Sequence, residues 1–570
     1  MIAALKKSYA SLRPDGAVAL WLGVWWVCNL LQAGFTELAN DEPYYHMFAE
    51  RLAWGYFDHP PLTALLIRLG EGLFGAGEFG VRFFFTLLQP LYLWVLWRIV
   101  RPADADRRDA SLFVLLSSAT LILQLYGFIA VPDGPLMMTA ALFLRTFQRF
   151  SEERPRAWLW MGVAMAAMAY AKYHGALVVL FALAANPGLL LRPKLYMSGG
   201  VALLLLVPHL VWEWRHDWAS FAYHLAGRNR DFQWSYLTDY LANVLVVFNP
   251  LFVPLYVRAW FAARPRNAVE RALRLFPAAF ILFFLLSAFR GYVQPQWLIV
   301  SSFGLIWALF VHARRHPRTR RYLMRAGAVT LALVALTRLV MVFNPLGIRF
   351  EIFDNRTSYG SIARIAAGRP VLFRHSYAVA SKYRFYTGGE TYCQPDIRYR
   401  NHQWQYRTDD DGFAGREVVV ETTPPRTAAD SARVHSVVLA NGYRFTWMID
   451  RSFRPVRRVD VAIEGLPERC APGDTLRLTL RLSNPYSHAV EVDGERLTLA
   501  MLWKYRRSVR EFPLANRFTV PPGGGTTCRA EFVVPEELGG KEFEAGFALV
   551  RPGYVNWYNG KPLRTEVAPL

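Results

Sequence analysis

The sequence predicts an α-helical multispan membrane domain followed by a soluble α/β unit and a β-sandwich. Three observations carry this. Of the 570 residues, 53% are hydrophobic and 15% aromatic. The apolar residues form long runs up to about residue 345, then short runs separated by polar residues. Arginines gather in every second loop between the long runs, the pattern by which positive charge sets membrane topology.

The long runs lie near 17–34, 80–100, 110–128, 135–150, 157–171, 174–191, 195–212, 237–262, 273–289, 296–312 and 325–343. That is about eleven spans, each close to the ~20 residues a helix needs to cross the hydrocarbon core. Lys6, Lys7 and Arg13 precede a first run without a small-residue cleavage pattern, so it reads as a retained anchor. Arg101, Arg107, Arg108, Arg149, Arg154, Arg156, Arg192, Lys194, Arg264, Arg266, Arg271 and Arg274 occupy alternate loops, and Arg314 to Arg321 carries a further basic cluster. These loops are expected inside, with the N-terminus, and the C-terminal region outside. The formal net charge of +21 is explained by them, so nucleic acid is not the expected partner.

The expected domains are 1–345 in the membrane, 346–454 as a small α/β unit and 455–570 as an immunoglobulin-like sandwich. Residues 370–373 and 417–420 read as strands and 376–386 as a helix. From 459 the pattern alternates, as in Leu476-Arg477-Leu478-Thr479-Leu480-Arg481-Leu482, with turn signals at Asn484-Pro485 and Pro521-Pro522-Gly523. Four cysteines occur, with no CxxC pair. Cys470 and Cys528 both fall in the sandwich, and their connectivity is open.

The outer loops hold the chemistry. Asn40-Asp41-Glu42-Pro43-Tyr44-Tyr45 follows the first run, and Tyr56-Phe57-Asp58-His59-Pro60-Pro61 precedes an amphipathic stretch. Arg82, Asp133, Lys172, His174 and Arg290 join them on the same face. Ionisable residues at membrane depth point to function. Cations suit a lipid phosphate, and a carboxylate suits proton removal from an attacking hydroxyl. Each residue also has a plainer reading. Asp41, Asp58 and Asp133 suit helix caps, Glu42 an exposed first-turn acid, and Lys172 and Arg290 interfacial snorkelling. The shared face argues for a site.

The run DEPYYHMFAERLAWGYFDHPPLTALLIRLGEGLFGAGEFGVRFFFTLLQ resembles the first outer loop of C-type (GT-C) polyprenyl-phosphate-sugar-dependent glycosyltransferases. The branch is the bacterial one similar to dolichyl-phosphate-mannose–protein mannosyltransferases and the lipid A aminoarabinose transferase. VPDGPLMMTAALFL, AKYHGALVVL and SYAVASKYRFYTGG match further blocks of that branch in order. The resemblance covers about residues 17–410. It implies a GT-C fold in a bacterial inner membrane and inverting transfer of a sugar from a polyprenyl-phosphate donor to a lipid, glycan or protein acceptor on the outer side. It implies Asp41 at the reacting centre, with Glu42 beside it. His59, Lys172, Arg290 and Arg82 are the expected phosphate-binding cations, and Asp58, Asp133, Tyr45 and His174 supporting or acceptor-positioning groups. A histidine at position 59 stands where the branch has a permanent cation, which makes its charge pH-dependent. No cofactor is required, although a divalent cation at the acidic pair is compatible. The competing classes are a lipid-linked-sugar flippase, expected to show internal repeats and midplane charges, and an assembly protein that uses its sandwich.

Overall fold

The computed structural model describes residues 12–227, 232–424, 433–506 and 508–569. Lys6 and Lys7 lie outside them. The chain forms two compact units, one running to Phe353 and the other spanning Asp354–Leu570.

Among the described residues, five helices of the first unit are long and apolar enough to cross a membrane: Pro14–Phe35, Glu78–Val100, Pro193–Arg215, Ala268–Ala288 and Pro317–Phe343. They expose large apolar side chains such as Leu204, Leu286 and Leu336, which lipid rather than water accommodates. Shorter helices fill the interior. Ser301–Arg315 is buried along nearly its whole length, as a helix apolar on every side must be. The unit is an α-helical multispan membrane protein of several packed layers.

The eleven apolar runs are not eleven uninterrupted helices, and particular residues explain why. The run at 237–262 divides into Trp234–Val247 and Val253–Ala262. Asn249, just before Pro250, takes a left-handed φ of 89°. Its side-chain amide donates to Ala119 O at 3.0 Å and Thr330 Oγ1 at 2.9 Å, so the break ties three segments together. The run at 110–128 gives Arg107–Ser118, opened by an Asp106–Asp109 capping box, and then the short Leu121–Leu125. The first outer loop is itself helical, with Asp41–Glu50 and Leu62–Phe74 joined by a turn.

In the second unit, the α/β part carries a five-stranded sheet ordered Thr391–Cys393, Val371–Phe373, Val418–Glu421, Arg444–Asp450, His435–Val438. The first three strands are parallel, and the last two pair antiparallel. Helices Asn355–Ala366 and Tyr377–Thr387 accompany it. The sandwich follows. Thr475–Ser483 alternates buried and solvent-facing residues, and its leucines share a core with Leu499, Met501, Trp503 and Phe547 of the opposing sheet. That is the period-two signature of a half-buried strand. Both sheets lie within the one compact unit. Cys470 and Cys528, whose connectivity the sequence leaves open, are free thiols.

Close helix contact rests on small residues. A Cβ on Gly304 would lie 2.1 Å from Leu273 O and 2.6 Å from Pro277 Cδ. The Gly304→Val variant is expected to force Ser301–Arg315 away from Ala268–Ala288 and lower stability by about 1–3 kcal/mol, read as a fall in the thermal midpoint in detergent. Gly23→Ala, whose Cβ would meet nothing within 4 Å, is expected to leave the midpoint unchanged or raised.

Candidate active site

Asp41 and Glu42 open the Asp41–Glu50 helix, yet they part company at once. Glu42 is fully buried. It accepts from Arg82 Nε at 2.6 Å and Arg82 Nη2 at 2.5 Å. It also accepts from the backbone N–H groups of Ala39 and Ala130, each at 2.8 Å. Arg82 is buried as well. Its other N–H groups donate to the carbonyls of Ala33 at 3.2 Å, Thr36 at 2.6 Å and Glu37 at 3.0 Å. All five guanidinium donors are therefore matched to protein oxygens. Arg82, expected to hold donor phosphate, is instead an internal clamp, and Glu42, expected as catalytic or as an exposed first-turn acid, is its counter-ion. Among the described residues no group of three or more His, Cys, Asp or Glu side chains is placed to hold a metal.

Asp41 remains half-buried at the helix start. Tyr126, behind it, lies within the electrostatic reach of Asp133, Asp41, Glu351 and Tyr292. Asp133 does not cap its helix. Its Oδ1 instead takes the Lys172 ammonium at 2.7 Å in a buried pair. Lys172 is thus a buried partner of Asp133 and not a snorkelling surface residue. Glu351 Oε2 accepts from the Asn40 N–H at 3.4 Å, which brings the end of the first unit to the residue preceding Asp41. Arg290 is exposed in the turn after Ala268–Ala288, two residues from Tyr292. His174 packs against Phe284 and Trp297, with ring centroids 5.3 and 5.1 Å away.

Asp58 and His59 form a second cluster. Asp58 is buried and is not a helix cap, since the next helix begins at Leu62. Tyr44 Oη lies 3.4 Å from its Oδ1. His59 Nδ1 lies 3.1 Å from the same oxygen, and Tyr45 Oη is 3.3 Å from His59 Nε2. His59 therefore meets Tyr45 at Nε2, while its buried Nδ1 stands beside the Asp58 carboxylate without a hydrogen bond. Behind this cluster stands a set of buried polar groups from Pro193–Arg215 and beyond. Tyr173 Oη donates to Glu213 Oε1 at 3.1 Å and lies 3.2 Å from His209 Nε2. His209 Nδ1 contacts Trp54 O at 2.7 Å, Ser220 Oγ donates to Tyr56 O at 2.7 Å, and His224 Nε2 contacts Asp58 O at 2.9 Å. Burial, with the Glu213 carboxylate beside it, pushes the Tyr173 phenol far above its ordinary value, so it stays a donor. Burial likewise pushes Tyr56 up to about 12, which keeps its hydroxyl donating to Phe48 O at 3.0 Å.

Tyr126, Glu213, His209, His224 and Glu351 are not among the sequence-derived candidates. Glu213 and His209 carry a signal that could have found them: an acid and a histidine four residues apart at the end of an otherwise apolar run, which is costly unless paired.

This architecture is that of the C-type (GT-C) glycosyltransferase fold. The chain is similar to ArnT from Cupriavidus metallidurans in the apo state, at 15% identity and a TM-score of 0.57, with 76% of this chain and 97% of that chain covered. The same protein bound to undecaprenyl phosphate gives a TM-score of 0.56 at 15% identity, over 76% of this chain and 98% of that chain. More particularly, residues 58–212 match the dolichyl-phosphate-mannose-protein mannosyltransferase family. No curated protein sequence matches the chain.

The clamp has a decisive test. Arg82→Met leaves a buried carboxylate unpaired and is expected to cost about 3–5 kcal/mol, seen as a lowered thermal midpoint and a poor folded yield. Arg82→Lys is expected to recover only part of this, because three ammonium donors cannot replace a five-donor fork. A well-folded Arg82→Met protein that had lost only donor binding would restore Arg82 to the phosphate.

Proposed function

We propose that this protein is an inverting glycosyltransferase of a bacterial inner membrane, taking a sugar from a polyprenyl-phosphate donor and passing it to an acceptor on the outer side. The observation that carries the reading is the buried Lys172–Asp133 pair, which lies in the same unit as half-buried Asp41. A carboxylate and a cation in one place are what this transfer needs. The fold, the family match over 58–212 and the undecaprenyl phosphate in the ArnT structure support it.

In the mechanism, Asp41 takes the proton from the acceptor hydroxyl or amine as that nucleophile attacks the anomeric carbon. The new bond forms on the face opposite the departing phosphate, so the anomeric configuration inverts. The bond from the anomeric carbon to the phosphate oxygen breaks, and polyprenyl phosphate leaves as an anion. Lys172, oriented by Asp133, and Arg290 stabilise the charge on that oxygen. His59, beside Asp58 and Tyr45, adds a further donor. Tyr45 and His174 shape the acceptor side. The N-terminus is cytoplasmic and the second unit periplasmic. Acceptors compatible with this chemistry are a lipid, a glycan or a protein.

The test is release of free polyprenyl phosphate from a panel of radiolabelled polyprenyl-phosphate sugars, with membrane extract as acceptor source. Native protein is expected to release it from at least one donor. Asp41→Asn is expected to lower the rate by about a hundredfold or more, and Arg290→Gln to raise the donor KM about tenfold. No release from any donor, together with labelled lipid crossing vesicle bilayers, would replace the transferase with a lipid-sugar transporter.

A further inference from the structure

In the second unit, a cavity of about 70 Å³ opens beside the α/β sheet and the sandwich. Tyr392, Gln394, Asp410, Arg457, Tyr554 and Trp557 are among the residues that line it. Two of them carry buried polar atoms without a hydrogen-bond partner among the described residues, the Tyr392 hydroxyl and the Gln394 side-chain nitrogen. Tyr392 is only 1% exposed. Native interiors rarely leave such groups unmatched, so each asks for an explanation.

Two cations line the cavity. Arg457 Nη2 lies 3.1 Å from Asp410 Oδ1 and donates to Arg407 O at 3.0 Å, while its Nη1 donates to Gln405 O at 3.3 Å. The Arg551 guanidinium lies over the rings of Tyr554 and Phe453, 5.6 and 5.8 Å from their centroids. The Tyr554 hydroxyl, in turn, donates to Asp450 at 2.6 Å. The unmet groups are neutral, and burial keeps the Tyr392 phenol protonated by holding it well above its ordinary value. The partly exposed Trp557 supplies an aromatic face at the rim. Aromatic surface with a few neutral, convergent polar groups is the chemistry of a site for a small polar ligand with an apolar face.

We propose that this cavity binds a neutral saccharide, which inserts one hydroxyl-bearing ring edge toward Tyr392 and Gln394 and lays the remainder of the ring against Trp557. By this measure the cavity is several times what one water needs, so a hydroxyl-bearing ring edge can enter it. The inference does not depend on the transferase reading, because binding in the second unit requires no turnover.

The experiment is calorimetric titration of the purified full chain in detergent with neutral mono- and disaccharides, with inorganic phosphate as the anionic control. At least one saccharide is expected to bind with a Kd below about 10 mM, and phosphate is expected to give no signal. Trp557→Ala is expected to weaken binding about tenfold, and Tyr392→Phe and Gln394→Leu about fivefold each. Tyr392→Phe removes one buried oxygen and keeps the ring packing, so it reports on the ligand even where the larger substitutions disturb folding. Phosphate binding in place of saccharide, no saccharide binding in this range, or saccharide binding indifferent to Tyr392→Phe and Gln394→Leu would each overturn the proposal.

Discussion

The buried pair between Glu42 and Arg82 is the interaction on which the start of the membrane unit depends. Taking two charges out of water costs several kcal/mol per ion. The cost is offset here because every donor of the guanidinium and both oxygens of the carboxylate meet a protein partner. Those partners belong to four pieces of chain: the end of Pro14–Phe35 and the residues after it, the Asp41–Glu50 helix, the Glu78–Val100 helix and the turn at Ala130. Fixing Glu42 fixes the first turn of its helix, and with it the position of Asp41. One neighbour thus supplies rigidity to the helix start that carries the other.

Lys172, Tyr173 and His174 distribute the site around that anchor. Each reaches a different part of the fold. Lys172 binds Asp133 near Asp41, Tyr173 joins the Glu213–His209 group behind Asp58 and His59, and His174 packs on Trp297 near the Arg290 turn. A short loop between two apolar helices can do this because its residues leave the helical repeat and their side chains diverge. Small displacements of one loop would therefore be felt by all three of these clusters together.

Much of this was legible in the sequence. Long apolar runs, alternating basic loops and the period-two segments after residue 459 follow from how helices and strands bury surface, and the fold carries them. The topology put Asp133 and Lys172 on one face, and the structure pairs them. Pairings did not. Glu42 and Arg82 are 40 residues apart, and nothing in their spacing separates a clamp from a pair of reacting groups. Glu213 and His209 sit at the end of an apolar run that reads as leading into a loop, so their burial was hidden. Asn249-Pro250 did carry a break signal, but the apolar residues on either side outweighed it. A cysteine's presence in a sandwich does not place its sulfur opposite another, which is why Cys470 and Cys528 remain apart.

Arg338, in the last long helix, donates to Asn29 Oδ1 at 2.8 Å and to the Gln124 side chain at 3.0 Å. It also shares the Phe128 ring with Arg82, each guanidinium 5.6 Å from its centroid. Asn29 and Gln124 enter the bilayer early in synthesis, whereas the cation that satisfies them emerges roughly two hundred residues after Gln124, at a synthesis rate of about 5–20 residues per second. For that interval of seconds to tens of seconds, polar groups of the nascent bundle wait without this partner. Insertion of the final helix is then the step that closes the ring around Phe128, and the outer face reaches its finished form only as the membrane unit leaves the ribosome.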